Sequence, residues 1–434
     1  MWWAALLPSG PSYDGARSPI EPARPLALWA LRFTPRVALA DESVVMEVGA
    51  SLRLFGGARR LATLVGEEAA QMDVHRIGWA PTSLAALALA RAGRAWSAGC
   101  LASLPLSCLS AARPHEAALA RIGCKSLGDL SQLPRAGVAR RFGQAVLDAL
   151  DCLHGRLPER HAWVTAPECF DMRLELMQRV ETAAALLFGA QRLLLQMSGW
   201  LAARQAGIRA FTLHWAHDAM RSRGTEDGGQ LTVRMAEPTR HVGHLCRLLS
   251  EHLAHVRLAA PVGELRLVAD EAVPLPASHA SWLPDEADMG DSLNQVLERI
   301  SARLGPGRVL RPELREDHRP ERMCLWRDAL VPGPAGMRSS WLPWPCMPQP
   351  AFLRPRPLRL QVQGERPFYH GELHLLLGPQ RLEAGWWDEG DTPREERAAF
   401  RDYWVAFSGQ AGLLWVFRTR SADRPAWFLH GYFA

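Results

Sequence analysis

The clearest candidates for chemistry in this sequence are three carboxylates in the segment FTPRVALADESVVMEVGA. Asp41 and Glu42 separate two β-like runs, and Glu47 lies near the end of the second run. Carboxylate oxygens hold divalent cations, so these groups could serve a metal-dependent reaction. A turn between two strands also leaves acidic side chains in water. Both interpretations, a residual metal site and a solvated turn, stay open at this point.

The cysteines and histidines do not predict a metal site. The eight cysteines are scattered, with no C-x-x-C pair and no histidine placed to complete a zinc site. We interpret them as free thiols in a reducing cytoplasm. His241, His244, His252 and His255 recur at helical spacing, which predicts a half-exposed helix face. We therefore expect no resident metal and no cofactor.

Composition allows contact with nucleic acid without requiring it. The chain has 434 residues and a formal net charge of +5, and Lys125 is its only lysine. Arginine supplies nearly all the positive charge, and its guanidinium can donate two parallel hydrogen bonds to a phosphate. No run is apolar enough to span a bilayer, and the N-terminus lacks the basic region of a secretory leader. We expect a soluble, cytoplasmic protein with no membrane partner.

The elements that would position the carboxylates alternate between strands and helices. Short apolar runs predict strands and longer, Ala- and Leu-rich runs predict helices. The predicted strands are Trp2–Leu7, Arg36–Leu39, Val44–Val48 and Val74–Trp79, and the predicted helices are 26–33, Ala58–Met72 and Thr82–Ala92. This order predicts a small α+β sandwich with helices on one face of an antiparallel sheet.

The rest of the chain divides by pattern. Residues 101–163 predict helices joined by Gly-marked turns. The segment 170–274 mixes strands such as Gly207–Trp215 with an amphipathic helix, His241–Ala254, and its 221–229 turn predicts an exposed hairpin loop. A Pro-rich run, LPWPCMPQPAFLRPRPL, precedes a β-like tail rich in Trp and Tyr. Buried aromatic residues in a small β-domain are the more common outcome for such a tail, although exposed ones would suit partner docking.

Several motifs, in order, resemble the Y-family DNA polymerases. FTPRVALADESVVMEVGASLRLFGG and IGWAPTSLAALALARAG resemble the palm, and LARIGCKSLGDLSQLPRAGVARRFG resembles the helix-hairpin-helix of the thumb. The following segment has the strand and helix alternation of the little finger. The tail GPQRLEAGWWDE…RDYWVAF…LLWVFRTR…WFLHGYFA, with DHRPERM, is similar to the C-terminus of the ImuB family, the polymerase-like subunits of a bacterial mutagenesis cassette.

The resemblance implies an α+β multidomain fold. The expected parts are a reduced, ferredoxin-like palm without fingers (1–98), a helical helix-hairpin-helix thumb (99–165), an α/β little finger (166–274), a linker (275–358) and a small β-rich C-terminal region (359–434). A short loop and one helix stand where the family has its fingers, and we interpret this short N-terminus as natural.

The resemblance also implies that the chain does not polymerise. The family draws its metal ligands from an Asp-x-Asp in the first strand and an Asp-Glu pair at the hairpin before LRLFGG. Here the first strand reads WWAALLP, without a carboxylate. One alignment places Glu42 and Ser43 at the Asp-Glu pair, and a slip of one residue places Asp41 and Glu42 there. We predict no catalytic residue and no metal.

The family context favours sequence-independent DNA contact through the thumb hairpin and the little finger. Glycines there would let backbone N–H groups meet phosphate, with basic side chains alongside. The predicted DNA-binding residues are Gly123, Lys125, Ser126, Arg135, Gly137, Arg140, Arg141, Arg204, Arg209, Arg221, Arg223 and Arg234. Glycines that only turn corners and solvated arginines are the alternative interpretation.

A degenerate sliding-clamp peptide is predicted after the little finger, where the family carries Gln-x-x-Leu-Phe. This chain reads His279-Ala280-Ser281-Trp282-Leu283, with Trp282 and Leu283 as apolar anchors and His279 and Ser281 as polar positions. The family also implies a RecA-like companion and an error-prone replicative-type polymerase as partners.

Three hypotheses remain. The first is a DNA- and clamp-binding adapter in DNA repair and the SOS response to DNA damage, supporting translesion synthesis and mutagenesis. The second is a weakly active translesion polymerase that uses Asp41, Glu42 or Glu47. The third is a helix-hairpin-helix DNA-binding protein without a role in replication. The carboxylate-free first strand disfavours the second, and the motif around Trp282 disfavours the third.

Overall fold

The chain divides into two compact units, Met1–Gly305 and Pro306–Ala434. The computed structural model describes residues 1–9, 20–217, 227–275, 292–305, 307–331, 348–387, 399–420 and 425–433. None of the helices in these ranges is long and apolar enough to cross a membrane. The architecture mixes helices with antiparallel sheets. The finer division into palm, thumb and little finger stays a prediction.

The first sheet is antiparallel, with strand order β2-β3-β1-β4. Its strands are β1 (Trp3–Pro8), β2 (Val37–Ala40), β3 (Ser43–Glu47) and β4 (Val74–Ala80). In the register of β1 with β3, Trp3 lies opposite Glu47 and Leu6 opposite Val44. The strands and the hairpin predicted from short apolar runs are confirmed.

Helices cover both faces of this sheet, so the expectation that they lie on one face is wrong. They are α1 (Ile20–Ala30), α2 (Ala58–Ala69) and α3 (Ser83–Ala92). Ala4 and Leu6 of β1 join the core that contains α1 and α2. Trp3 and Ala5 point the other way, into the core that contains α3. Successive side chains of a strand alternate between faces, so an all-apolar β1 is buried on both.

A helical segment shares the core of α3. After short 3₁₀ turns between residues 100 and 115 come α4 (Glu116–Arg121), α5 (Leu127–Gln132), α6 (Arg135–Phe142) and α7 (Gln144–Leu153). Their apolar side chains, including Leu119, Leu130 and Leu147, pack in one cluster with Leu87 and Leu89 of α3. The predicted helical character of this segment is confirmed.

The second sheet has the order β5-β8-β6-β7 and is also antiparallel. Its strands are β5 (Asp171–Val180), β6 (Ala206–His217), β7 (Gly228–Thr239) and β8 (Val262–Pro274), accompanied by α8 (Ala183–Ala203), α9 (Val242–Leu253) and α10 (Leu293–Leu304). Phe211, Leu213 and Leu265 join a core with α8 and α9, and Asp171, Arg173 and Glu175 alternate onto the other face.

Helix α8 packs directly against α1, so one apolar core runs from the first sheet to the second. The approach is close at Gly199, where an added Cβ would lie 2.0 Å from the carbonyl oxygen of Leu28. Only glycine fits such a backbone contact. Within the described part of the first unit, the two α/β parts therefore form one body.

The second unit is built from strands, as the β-like tail predicts. A five-stranded sheet of order β11-β17-β16-β15-β14 is accompanied by two hairpins, β9–β10 and β12–β13. The strands are β9 (Leu310–Leu314), β10 (Cys324–Asp328), β11 (Phe352–Arg359), β12 (Gln361–Gln363), β13 (Arg366–Phe368), β14 (His374–Ala384), β15 (Ala399–Ser408), β16 (Gly412–Thr419) and β17 (Trp427–Tyr432). Tyr403, Trp415 and Trp427 are buried, whereas Trp386 and Trp387 are exposed.

Candidate functional site

Asp41 and Glu42 form the tight turn between β2 and β3. Ala40 pairs with Ser43 across the turn, and Asp41 has a positive φ of 50°, which Asp tolerates better than most residues. The turn lies beside the end of β1, because Leu6 pairs with Val44. That end of β1 reads Leu6, Leu7, Pro8 and supplies no carboxylate to the turn.

The guanidinium of Arg91, in the last turn of α3, binds both acidic side chains. Its Nε and Nη2 donate to the carboxylate of Glu42 at 2.9 and 2.8 Å, and Nη2 also donates to Asp41 at 2.9 Å. Its Nη1 donates to the carbonyl oxygen of Cys108 at 2.7 Å. The Arg91 side chain is only 7% exposed. A fixed internal cation therefore occupies the space between the two acids.

Two further groups complete this network. Ser110 Oγ donates to Asp41 at 2.5 Å, and Arg113 Nη2 donates to Glu42 at 3.3 Å. Burial would raise the pKa of Glu42, but the hydrogen bond and charge of Arg91, with the charge of Arg113, outweigh burial and lower that pKa to about 2. The acidic turn is thus held ionised and neutralised from within the chain, and it is less solvated than the turn hypothesis expects.

Glu47 takes no part in this network. It lies five residues further along β3, about 16 Å from Glu42 at the usual rise of a strand, and is 3% exposed. Its carboxylate accepts from the backbone N–H of Gly49 at 2.9 Å and lies 3.4 Å from Arg36 Nη1. The residual metal site of Glu42 with Glu47 is therefore wrong. The described residues contain no group of three or more His, Cys, Asp or Glu that could hold a metal ion.

The turn around Gly123 does not present free backbone N–H groups. The amides of Gly123 and Cys124 donate to Ala120 and Leu119, and those of Lys125 and Ser126 donate to the Asp129 carboxylate at 3.0 and 2.9 Å. Ser126 and Asp129 form a capping box at the start of α5. The expected phosphate cradle of backbone amides is thus corrected here, because a carboxylate already fills it.

Helix α6 carries four of the predicted DNA-binding residues, and they differ in their partners. Arg135 forms a bidentate ion pair with Asp151, at 3.0 and 2.5 Å. Gly137 turns the chain into the helix and donates to Pro134. Arg140 and Arg141 lie in the last turn and are exposed, without an ion pair to any residue that the structure describes. These two are the basic side chains most available to a phosphate.

The remaining predicted arginines are dispersed. Arg204, at the end of α8, donates to the Pro167 carbonyl at 3.3 Å and lies over the Trp200 ring. Arg209 is half-buried in β6, with no acceptor for its Nε among the described residues, and Arg234 is exposed on β7. Arg221 and Arg223 lie outside the described residues, as do His279, Ser281, Trp282 and Leu283 of the predicted clamp peptide.

The open face of the second sheet carries arginines that the sequence analysis did not single out. Arg173 and Arg266 pair across β5 and β8. Arg266 binds Asp171 at 2.6 and 2.5 Å, and Arg173 lies 3.8 Å from Glu264. Acidic neighbours therefore balance these arginines, and this face is not a continuous basic stripe.

Comparison with known proteins gives a relative over nearly the whole chain. Protein ImuB of Caulobacter vibrioides strain NA1000 / CB15N is 28% identical over 431 residues, which cover 93% of this chain and 92% of that protein. ImuB of strain ATCC 19089 of the same species matches equally. The chain is a relative of ImuB. No protein-family model matches it.

Solved structures similar to this ImuB relative are Y-family polymerases. DinB from Sulfolobus solfataricus has 13% identity and a TM-score of 0.28, covering 60% of this chain and 78% of its own. An insertion ternary complex of Dbh DNA polymerase has 14% identity and a TM-score of 0.28, covering 59% and 77%. With TM-scores this low, the relation to ImuB depends on the sequence match alone.

Two features of this ImuB relative escaped the sequence analysis. Arg91 ends an otherwise apolar helix, SLAALALARA, and its isolation among buried residues was the available signal. His244 was expected on a half-exposed helix face, but it is 3% exposed. Its Nε2 lies 2.6 Å from Glu298 of α10, whose other carboxylate oxygen accepts from the amide of Ala236. This buried pair fixes α10 to α9 and β7.

Proposed function

We propose that this chain is a non-catalytic adapter of DNA repair and damage-induced mutagenesis. In this proposal it binds DNA without sequence preference, engages the sliding clamp and recruits an error-prone polymerase with the help of a RecA-like companion. The relation to ImuB supports the setting, and the palm-like, thumb-like and little-finger-like parts belong to the same proposal. The ion pair of Arg91 with Asp41 and Glu42 is the observation that carries the non-catalytic part.

The physical argument concerns charge. Nucleotide transfer requires metal ions that bridge the attacking oxygen and the triphosphate. At the acidic turn a guanidinium already lies within 2.9 Å of both carboxylates. A metal ion would have to displace it and leave a buried cation unpaired, which costs several kcal/mol. The neighbouring end of β1 offers no further carboxylate to offset that cost.

DNA contact rests on the exposed arginines. Arg140 and Arg141 form an exposed pair on α6, and Arg234 is exposed on the second sheet. Contacts of this kind bind any sequence, because they reach phosphates rather than base edges. Lys125 and Arg135 lie near the same helical segment, so the proposed interface is centred on α5 and α6, with Arg204 and Arg209 as further candidates.

Primer extension by the purified full chain tests the proposal. The reactions contain Mg²⁺ or Mn²⁺, all four nucleotides, and undamaged or lesion-bearing templates. We expect no extension together with measurable template binding. Glu42→Ala is compared with Glu365→Ala, which removes an exposed acid far along the sequence. Extension lost only in Glu42→Ala would mean that the acidic turn holds metal and would overturn the proposal. Extension that survives both changes indicates a contaminating polymerase, and the preparation is then repurified and retested.

A further inference from the structure

Strand β14 is an edge strand with an apolar stretch. It pairs with β15 on one side, and no described strand pairs with its other side. Leu375, Leu376 and Leu377 are 43, 60 and 47% exposed. Long apolar edge strands present unpaired backbone groups to any extended chain that approaches, and monomeric proteins usually avoid them.

The opposite edge of the same sheet shows how such a strand is protected. Strand β11 reads FLRPRPLR, in which Pro355 and Pro357 lack a backbone N–H and Arg354 and Arg356 add charge. Prolines and charges are common means of blocking an edge. In β14 only Gly378 and Pro379 interrupt the strand, between the leucines and the second half, Gln380–Glu383.

A cavity of about 280 Å³ lies against this second half of β14. Tyr403 and Trp415 border it on the sheet side, and their rings stack with centroids 4.2 Å apart. The loop between β9 and β10 borders it on the other side, through His318, Pro320 and Met323. That loop is held to the sheet because Arg401 donates to Glu321 at 2.9 and 3.1 Å.

The indole N–H of Trp415 borders this cavity and has no acceptor. Trp415 is 3% exposed, and its Nε1 has no hydrogen-bond partner among the described residues. Leaving a buried N–H unpaired costs about 1–3 kcal/mol, so native structures rarely keep one without a water or a ligand. An acceptor that enters the cavity would satisfy it.

The charged groups beside the cavity are already paired. Arg381 lies 3.3 Å from Asp402, and Glu383 forms an ion pair with Arg420. The inner wall is apolar and aromatic, with Leu382, Met323 and Tyr403. The cavity therefore suits an uncharged side chain rather than an ionic one.

We propose that β14 binds an extended peptide segment of a partner protein as an added strand. An uncharged side chain of the peptide occupies the cavity, and a peptide carbonyl accepts the hydrogen bond of Trp415 Nε1. Strand addition of this kind combines main-chain hydrogen bonds with side-chain pockets. A second copy of the chain is a poorer occupant, because one strand edge buries less than the roughly 1,200 Å² that a stable dimer needs. The inference rests on the adapter proposal only in taking the partner to be a protein.

Peptide selection on the full chain tests this inference. A phage-displayed library of random linear peptides is depleted on the Trp415→Phe variant and then selected on the wild type. We expect the recovered peptides, measured by fluorescence anisotropy, to bind Trp415→Phe and Leu376→Glu about tenfold more weakly than the wild type. Phe352→Glu on β11 is the matched control, since Phe352 is 64% exposed on the opposite edge, and it should leave affinity unchanged.

Hydrogen exchange separates strand addition from other binding. The peptide should slow amide exchange within 374–384, and thermal unfolding of each variant shows that it is folded. Recovery of no peptide that distinguishes Trp415→Phe, or protection outside β14, would overturn the inference. So would concentration-dependent dimers that Leu376→Glu abolishes, since the occupant would then be a second copy. Primer extension by the chain would refute the adapter proposal without changing these peptide measurements.

Discussion

Arg91 reaches across 49 residues of sequence to the turn of Asp41 and Glu42. A carboxylate pair in a strand turn can hold a metal ion, stay in water or pair with a protein cation, and the nearest positive charge decides which of these occurs. Here the cation is a guanidinium that is 7% exposed. The residue types that suggest a catalytic turn therefore form a structural ion pair that joins α3 to the first sheet.

The pH dependence of stability follows from the lowered pKa of Glu42. Its folded-state pKa is about 2, below the ordinary 4.5, so its contribution to the free energy of unfolding is complete above about pH 4.5 and disappears as the pH falls towards 2. We expect Glu42→Gln to lower that free energy by about 2 kcal/mol at neutral pH, because Arg91 loses a charged partner. Urea unfolding from neutral pH to about pH 3 measures this difference.

The control for this prediction is Glu365→Gln, which removes an exposed acid in the second unit. The gap between wild type and Glu365→Gln should be small at every pH. The gap between wild type and Glu42→Gln should narrow as the solution is acidified. A Glu42 gap that stays constant with pH would contradict the ion pair as its origin.

At the scale of elements, α6 is the helix whose basic residues bear most directly on DNA contact. Its four predicted residues include Arg135, which is paired with Asp151. Arg140 and Arg141 remain exposed in the last turn. Adjacent basic residues on an exposed helix can release counterions from DNA, which makes binding dependent on salt.

Removing this pair should change the salt dependence of DNA binding. We expect Arg140→Ala with Arg141→Ala to weaken binding of any sequence and to reduce the slope of log K against log salt concentration by about 1.5. Fluorescence anisotropy with labelled duplex and single-stranded DNA measures both effects. Arg366→Ala, which removes an exposed arginine paired with Glu372, is the matched control and should leave the slope unchanged. An unaltered slope in the double variant would exclude these arginines from the interface.

The elements themselves were predictable where the sequence pattern is strong. The strands β1, β3 and β4 and the helix α3 follow from short apolar runs and an Ala/Leu-rich segment. Helix α1 begins at Ile20, six residues before the predicted start, because Pro25 lies inside the helix and prolines suggested a loop. The second covered face of the first sheet was visible in the all-apolar β1, but period-two alternation was expected.

The candidate site was less predictable than the elements. Asp41 and Glu42 could be selected by type, yet their partner Arg91 comes from another element, and sequence spacing gives no indication of such a contact. The turn at Gly123 was selected for its glycine, but the acid that fills it, Asp129, follows as an ordinary capping residue. Partner choice depends on tertiary packing, and local pattern does not record it.

At the scale of the whole molecule, the first unit is one body and not a string of separate domains. The contact of α1 with α8, made possible by Gly199, joins the cores of both sheets. Strand β8 ends at Pro274 and α10 begins at Leu293, and both pack within this unit. The predicted clamp peptide, 279–283, therefore lies in a segment whose two ends are fixed to the same body.

This arrangement makes the clamp proposal testable without disturbing the fold. Trp282→Ala with Leu283→Ala should reduce pull-down of a purified bacterial sliding clamp at least tenfold, because apolar anchors commonly supply most of the affinity of a short peptide. DNA binding should stay intact. Leu325→Ala with Trp326→Ala is the matched control, since these neighbours are also a Leu and a Trp and are 36 and 62% exposed. If both double variants lose the clamp alike, the contact is nonspecific apolar adhesion, and if neither does, the segment is not the clamp site. Loss confined to Trp282 and Leu283 would mean that the degenerate motif, with His279 in place of glutamine, still binds.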